Sequence, residues 1–201
     1  MAGVVVPYRG PDAKSRLPFT AAERAQLGLA MLADVLAAAA AVGPTVVVTS
    51  DPAAAALAPE VVPDPGAGQG AAVAAGLERL VAGPMLVVNA DLPQATPQDL
   101  LALLGEMPPG GIALVEARDG TTNALALSSA DRFAPVYGRG SAERFREWAA
   151  HRGVPFIAAP IANLVHDVDT LADLDRFDDA EGPIGRHTHA ALAALRSGAA
   201  S

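Results

Sequence analysis

Three aspartates in this chain are spaced so that they could assemble a metal site. Asp91 follows the apolar run 85–90, and Asp167 and Asp169 lie in the run 164–170. We expect both runs to be strands, and alternate residues of a strand point to the same side, which would bring Asp167 and Asp169 together. Aspartates at strand ends can meet in the crevice where α/β sheets bind ligands, and Mg²⁺ prefers a few carboxylates plus substrate phosphates. The pattern favours a metal-assisted enzyme that handles phosphates.

A basic cluster lies after the first predicted strand. Arg9, Lys14 and Arg16 fall within eight positions, in a chain that has only 14 Lys and Arg. A few local cations can serve one phosphate chain, so this cluster is a candidate site for nucleotide phosphates. The formal net charge of −8 argues against nonspecific binding to nucleic acid, which depends on a basic surface.

Both features also have a structural interpretation, which the residues alone leave open. Aspartate is a common turn residue, so Asp91 could cap a turn, while Asp169 and Asp173 could begin a helix. The basic cluster could belong to a solvated loop.

A glycine-rich segment matches a dinucleotide-binding fingerprint, but its context does not. Residues 66–71 read Gly-Ala-Gly-Gln-Gly-Ala, and Asp91 follows about twenty residues later, as the fingerprint requires. Prolines interrupt the preceding segment 61–65 and make it a poor central strand, so a Rossmann dehydrogenase is a minor alternative. Gly68 and Gly70 could still let the backbone approach a base or a phosphate closely.

Other classes of site find little support. The absence of cysteine excludes disulfides, zinc thiolates and a cysteine nucleophile, and neither the serine-hydrolase elbow nor the P-loop motif occurs. His187 and His189 form an isolated His-x-His. We interpret it as part of a surface helix or as a purification scar, in preference to a metal site. No apolar run reaches the length of a membrane span and the N-terminus lacks a secretory signal, so we expect a cytoplasmic protein.

Strands and helices alternate along the chain. This alternation predicts an α/β fold, a three-layer sandwich with a mostly parallel sheet. A capping box at residues 20–23 begins the first long helix, and Gly43-Pro44 ends it. We expect one domain over residues 1–180, followed by a Gly/Ala-rich tail, 181–201, with room for one marginal helix. The predicted strands are 3–7, 45–49, 85–89, 112–117, 124–128 and 156–159, and the predicted helices include 71–80, 96–104, 141–152 and one that begins at 170.

An ordered set of short motifs resembles a known family. The set comprises Val6-Pro7, residues 13–17 (Ala-Lys-Ser-Arg-Leu), residues 31–36 (Met-Leu-Ala-Asp-Val-Leu), residues 48–51 (Val-Thr-Ser-Asp), residues 91–93 (Asp-Leu-Pro), residues 122–125 (Thr-Asn-Ala-Leu), residues 137–141 (Tyr-Gly-Arg-Gly-Ser) and residues 167–170 (Asp-Val-Asp-Thr). Together they resemble the 2-phospho-L-lactate guanylyltransferases, a family that includes the phosphoenolpyruvate guanylyltransferases of coenzyme F-420 biosynthesis. The likeness covers about the first 175 residues, in the right order.

The resemblance implies a glycosyltransferase-A-like, Rossmann-related nucleotidyltransferase. Its substrates would be GTP and a small phosphorylated carboxylic acid, namely phosphoenolpyruvate, 2-phospho-L-lactate or 3-phosphoglycerate, and its product would pass to a downstream transferase. Neither nucleic acid nor a membrane is an expected partner, and Mg²⁺ is the expected cofactor. The implied roles are metal binding by Asp91, Asp167 and Asp169; catalysis by Lys14, Arg16 and Asp91; nucleotide binding by Arg9, Lys14, Arg16, Gly68 and Gly70; and acid binding by Thr122, Gly138 and Ser141.

Several positions depart from the family pattern. Arg9 replaces a usual lysine, Gly68-Gln69-Gly70 replaces Gly-Leu-Asn, the turn 119–122 is short, and Phe145 replaces a frequent histidine. These changes concern the base and the acceptor acid, while the phosphate and metal groups are retained. Two alternatives follow: a related nucleotidyltransferase that acts on a sugar phosphate or molybdopterin, and a catalytically silent nucleotide-binding protein.

Overall fold

One mixed sheet organises the chain. The computed structural model describes residues 1–10, 14–81, 83–178 and 185–198. Within these ranges seven strands follow the order β3-β2-β1-β4-β6-β5-β7. The strands are β1 (Gly3–Pro7), β2 (Thr45–Val48), β3 (Val61–Val62), β4 (Met85–Val88), β5 (Ile112–Glu116), β6 (Thr122–Leu127) and β7 (Phe156–Ala158). The helices are α1 (Ala21–Ala40), α2 (Pro52–Leu57), α3 (Gln69–Arg79), α4 (Pro97–Glu106), α5 (Ser141–Arg152), α6 (Ala162–Val165), α7 (Leu171–Asp178) and α8 (Arg186–Gly198).

The pairing confirms a mostly parallel sheet with one reversed strand. β1 pairs in parallel with β2 and β4, and β5 pairs in parallel with β7. β6 is antiparallel to both of its neighbours, with Val88 opposite Ala124. The end of β4 therefore lies beside the beginning of β6, so residues after β4 and the first residues of β6 share one edge of the sheet.

Alternating side chains of the interior strand β1 divide the core into two apolar layers. Val4 and Val6 pack into a cluster with Leu32 and Leu100 from α1 and α4, whereas Val5 packs on the other face. Successive side chains of a strand point to opposite faces, and here both faces are apolar. Helices therefore cover both sides of the sheet and bury these side chains. This arrangement confirms the three-layer α/β sandwich.

Local capping signals act where the sequence places them. The Thr20 side chain accepts from Glu23 N, and the Glu23 carboxylate accepts from Thr20 N, which completes the capping box of α1. At α7, Thr170 Oγ1 accepts from Asp173 N while Asp173 accepts from Thr170 N. Asp173 thus begins a helix, as the structural interpretation predicted. No helix in the described ranges is long and apolar enough to cross a membrane.

The strand predicted for residues 164–170 is wrong. Leu164 and Val165 end the short helix α6, and the chain then runs irregularly to α7. The β-branched and apolar residues here resemble a strand locally, but no strand of the described residues pairs with them. Val168 instead donates its N–H to Asp91 O at 3.0 Å, which ties this segment to the loop after β4.

The tail contributes a packed helix. The predicted marginal helix is α8, and its Ala191 and Leu192 are buried in a cluster with Leu27 and Met31 of α1. The domain boundary expected at residue 180 lies outside the described residues.

Candidate active site

The three predicted aspartates meet at the edge where β4 ends. One carboxylate oxygen from each of Asp91, Asp167 and Asp169 lies within 4.8 Å of the other two. The backbone bond from Val168 to Asp91 holds the two loops together, and Val168 itself is buried. Residues on either side of Val168 therefore face the same way, toward Asp91. Residues 167–169 do not form a strand, but the predicted carboxylate cluster is present.

A buried ammonium group lies among these carboxylates. Lys14 Nζ is 2.6 Å from Asp91 Oδ2 and 2.7 Å from Asp169 Oδ1, and Arg16 also donates to Asp169. Burial lowers the pKa of Lys14, but the adjacent carboxylates of Asp91 and Asp169 outweigh that effect and raise it above its ordinary value. Two members of the basic cluster, Lys14 and Arg16, thus pair with the carboxylates, and Lys14 is 6% exposed rather than part of a solvated loop.

Two features of the carboxylates suit a site for one further cation. Burial, then the charges of Asp91 and Asp169, raises the pKa of Asp167 to about 6. Asp91 Oδ1 is buried and has no hydrogen-bond partner among the described residues. The three carboxylates therefore outnumber the two cations that contact them, Lys14 and Arg16, and in the described ranges one buried oxygen of Asp91 lacks a partner.

A cavity of about 270 Å³ opens beside the carboxylates. The predicted nucleotide-binding residues Arg9 and Lys14 line it, together with Asp91. Tyr8 also lines it: its side chain is 7% exposed, and its hydroxyl has no partner in the part of the chain that the structure describes. The remaining lining residues are Pro7, Gly10, Gly28, Met31, Asp64, Gln69, Ala72, Asn89 and Ala90.

A set of side-chain amides that sequence reasoning missed joins the cavity to the carboxylates. Gln69 donates to Asn89 Oδ1 at 2.8 Å, and Asn89 donates to Thr122 O at 3.1 Å. Asn123 is buried and donates to two carbonyl groups of α6. The only available signal was an asparagine directly after β4 and another near the start of β6.

Comparison with known proteins identifies the family. The profile of the MobA-like NTP transferase domain matches residues 24–159. A phosphoenolpyruvate guanylyltransferase of Sphaerobacter thermophilus is 35% identical, over 90% of this chain and 94% of that protein. A 3-phospho-D-glycerate guanylyltransferase of Phenylobacterium zucineum is 35% identical over 98% of each chain. The chain belongs to this guanylyltransferase family. It is therefore a nucleotidyltransferase.

Two further likenesses agree with this assignment. A 2-phospho-L-lactate guanylyltransferase of Natrialba magadii is 36% identical, over 85% of this chain and 80% of that protein. A solved nucleotide-diphospho-sugar transferase from Desulfovibrio desulfuricans shares the fold, with a TM-score of 0.78, 17% identity and coverage of 98% and 95% of the two chains. The Rossmann-dehydrogenase alternative is thereby set aside.

The acid-binding residues implied by the resemblance comprise a buried pair, Thr122 and Ser141, and the exposed Gly138 in this guanylyltransferase. Thr122 and Ser141 are buried, and their hydroxyl oxygens are 2.9 Å apart. Ser141 N–H already donates to Gly138 O, so this amide is engaged within the turn. Arg144 donates to the carbonyls of Val136 and Tyr137, which holds the turn in place. Gly138 is exposed, with φ of 105°, and remains accessible to a ligand.

The two glycines of the fingerprint have different surroundings in this guanylyltransferase. Gly68 precedes α3 with φ of 92°, a conformation that favours glycine, and no atom would meet a Cβ there within 4 Å. Gly70 is buried, and a Cβ would lie 2.8 Å from Pro135 O. Gly70 is thus required by close packing against the chain, while the space around a Cβ at Gly68 is open.

The His-x-His pair serves the docking of α8. His187 N donates to Asp34 Oδ1, and the His189 ring stacks on Phe177 at 4.3 Å between centroids. Within the described ranges the three aspartates are the single cluster suited to a metal. The surface-helix interpretation therefore describes this pair better than a metal site.

Proposed function

We propose that this guanylyltransferase transfers GMP from GTP to the phosphate of a small phosphorylated carboxylic acid and releases diphosphate. Phosphoenolpyruvate is the proposed acceptor, 2-phospho-L-lactate is its close competitor, and the pathway is the biosynthesis of coenzyme F-420. The observation that carries the proposal is the carboxylate trio beside a cavity lined by Arg9, Lys14 and Tyr8, whose hydroxyl has no partner within the described ranges.

The donor set fits Mg²⁺. Asp91, Asp167 and Asp169 offer hard oxygen ligands, and the buried free oxygen of Asp91 supports such a role. When bound there, Mg²⁺ would neutralise charge on the reacting phosphates and hold them near one another. This site would require the Lys14 ammonium to share or yield its contacts with Asp91 and Asp169.

The reaction needs no nucleophile or base from the protein. A phosphate monoester has a second pKa near 6, so the acceptor is largely deprotonated at neutral pH. One of its oxygens forms a bond to the α-phosphorus of GTP, and the bond between that phosphorus and the bridging oxygen to the β-phosphate breaks. The electron pair leaves with diphosphate. The protein's part is positioning and charge neutralisation.

The basic residues are suited to the triphosphate. Lys14 lines the cavity, and Arg16 is 65% exposed beside Asp169, so both can reach phosphate oxygens next to the carboxylates. Their positive charge would stabilise the departing diphosphate. Because they follow β1, whereas the acid-binding residues implied by the resemblance come from the segment 122–141, we assign them to the nucleotide. Replacing Lys14 with alanine should raise the KM for GTP more than the KM for the acid.

The acceptor is assigned with support from the relatives. Their names include a phosphoenolpyruvate, a 3-phospho-D-glycerate and a 2-phospho-L-lactate guanylyltransferase. Phosphoenolpyruvate and 2-phospho-L-lactate carry the phosphate on the carbon next to the carboxylate, whereas 3-phosphoglycerate carries it one carbon further away, and the exposed Gly138 could contact such a group. A difference in shape alone discriminates by about 1–3 kcal/mol, so we expect some crossover between acids. We also propose a cytoplasmic location and transfer of the reactive product to a downstream transferase that joins it to the deazaflavin.

The test is diphosphate release by the purified full chain with GTP, Mg²⁺ and each of the three acids in turn. We expect the highest kcat/KM with phosphoenolpyruvate and a product whose mass equals the acid plus GMP. Release with a sugar phosphate or molybdopterin but with none of the acids would replace this proposal with the related nucleotidyltransferase. No release with any acceptor, together with nucleotide binding, would favour the silent nucleotide-binding protein.

A further inference from the structure

Hydrogen bonds join the amide side chains of Gln69, Asn89 and Asn123, and the donor and the acceptor of each bond can be assigned. Asn123 Nδ2 donates to Leu164 O at 3.0 Å and to Val165 O at 3.2 Å. Backbone carbonyls only accept, so this end of Asn123 must be its amino group. Its Oδ1 therefore faces the other way, where Asn89 Nδ2 lies 3.5 Å away.

Two acceptors, Thr122 O and Asn123 Oδ1, determine the orientation of the Asn89 amide. Its Nδ2 donates to Thr122 O at 3.1 Å, again a group that only accepts. Its Oδ1 must then face Gln69, whose Nε2 donates to it at 2.8 Å. The carbonyl groups of α6 and β6 thus determine, through two asparagines, which end of the Gln69 amide is held inside the protein.

The remaining end of Gln69 is a hydrogen-bond acceptor beside the cavity. Its amino group is committed to Asn89, and Gln69 Oε1 has no partner among the described residues. Gln69 lines the same cavity as Lys14 and Asp91. A flipped Gln69 would set two carbonyl oxygens against each other, so the network allows only the acceptor to face a ligand. No amide can stand at the next position, because Gly70 packs against Pro135 O.

We propose that Asn89 and Asn123 are positioning residues that orient Gln69 so that its Oε1 accepts a hydrogen bond from the N1–H and 2-amino edge of guanine. The inference rests on the proposed use of GTP and adds the means of choosing the base. Adenine carries an acceptor at N1, which would meet the Gln69 acceptor unfavourably. Hypoxanthine keeps N1–H and lacks the 2-amino group, so ITP should fall between GTP and ATP.

Asn123 also approaches the carboxylates. Its Nδ2 lies 3.5 Å from Asp167 Oδ1, so replacing Asn123 would disturb the base site and the metal site together. Among the described residues the Asn89 side chain makes no hydrogen bond to the carboxylates, so Asn89 separates the two effects. Gln98, an exposed glutamine of α4, provides a matched control for the loss of a glutamine amide.

The experiment compares kcat/KM for GTP, ITP and ATP, with one acid held constant, in the full chain and in Gln69→Ala, Asn89→Ala and the double variant. We expect the GTP-to-ATP ratio to fall about tenfold to hundredfold in Gln69→Ala, mainly through the KM for GTP. Asn89→Ala should lower the ratio while Gln69 is present and should have little further effect on it in the double variant. Gln98→Ala should keep the wild-type ratio.

Two kinetic results would overturn the inference: an unchanged ratio in Gln69→Ala, or an Asn89→Ala effect on the ratio that persists in full without Gln69. The second result would show that Asn89 has only a structural role and does not act through Gln69. Calorimetric binding of GDP and ADP to the same variants needs no turnover, so it separates this inference from the proposed reaction. A wild-type chain that binds both nucleotides equally contradicts the base-reading role, whatever the acceptor proves to be.

Discussion

Replacing Lys14 with methionine should lower the free energy of unfolding of the metal-free protein and increase the stability that the protein gains from Mg²⁺. The Lys14 ammonium is 2.6 Å from Asp91 and 2.7 Å from Asp169, and the residue is 6% exposed. Methionine keeps most of the buried aliphatic stem and removes the charge. The three carboxylates would then face one another without their shared internal cation.

The size of the effect follows from this geometry. Removing one member of a buried ion pair costs about 3–5 kcal/mol. We expect about 3 kcal/mol, the lower end of that range, because the side chains of Asp91 and Asp169 remain 25% and 22% exposed. In the wild type Mg²⁺ must compete with Lys14, whereas in the variant it meets free carboxylates. Metal affinity should therefore rise at least about tenfold, which corresponds to about 1.4 kcal/mol.

The assay is urea unfolding of the wild type, Lys14→Met and Arg16→Met over a series of Mg²⁺ concentrations. Binding to the native state alone adds stability that grows with metal concentration, so the Lys14→Met curves should approach those of the wild type as Mg²⁺ increases. Arg16 is 65% exposed and its replacement should change stability little. Equal responses to Mg²⁺ in the wild type and Lys14→Met would refute the view that ammonium and metal share one site.

Three further predictions follow from other contacts. Asp169→Asn should keep the fold and lower kcat by about a hundredfold or more at saturating Mg²⁺; near-wild-type turnover there would remove this carboxylate from the metal site, and Asp175→Asn on α7 is the control. The pKa of Asp167 is raised to about 6, so below that pH a proton competes with the metal. Mg²⁺ affinity measured by calorimetry should therefore fall from pH 7 to pH 5, and a flat profile would contradict it. The same raised pKa means that ionised Asp167 opposes folding above about pH 6, an effect relieved as the pH falls. Asp34→Ala should cost about 2 kcal/mol, because the buried Asp34 accepts from the N–H groups of His187 and Thr188 and from the Thr188 hydroxyl; hydrogen exchange that remains slow in α8 would show that this cap contributes little.

The element order and the caps could be predicted because they depend on neighbours in the chain. The capping box at Thr20 and Glu23 acts across three residues, and the apolar run 85–88 shows its burial directly in its composition. The strand predicted from the apolar residues Leu164 and Val165 was wrong, because no strand in the described ranges pairs with them. Periodicity reports which residues prefer burial and not which neighbour will bury them.

The candidate site was predicted in part for the same reason. Residue type and the resemblance identified Asp91, Asp167 and Asp169, and the structure brings them together through the bond from Val168 to Asp91. The buried position of Lys14 between two carboxylates had no local signal, since its partners lie 77 and 155 positions away. A lysine in a polar loop looks the same in sequence whether it is solvated or shared between aspartates.

The sequence by itself determined the α/β class, the order of most elements, the caps of α1 and α7, and the aspartates and cations that the chemistry needs. The tertiary structure decided which of those groups touch. It placed Asn89 beside Asn123 because β6 runs antiparallel to β4, and it directed Gln69 because backbone carbonyls accept and never donate. Short-range preferences can be read along the chain, whereas the pairing of distant polar groups exists only after the sheet has assembled and excluded water from between them.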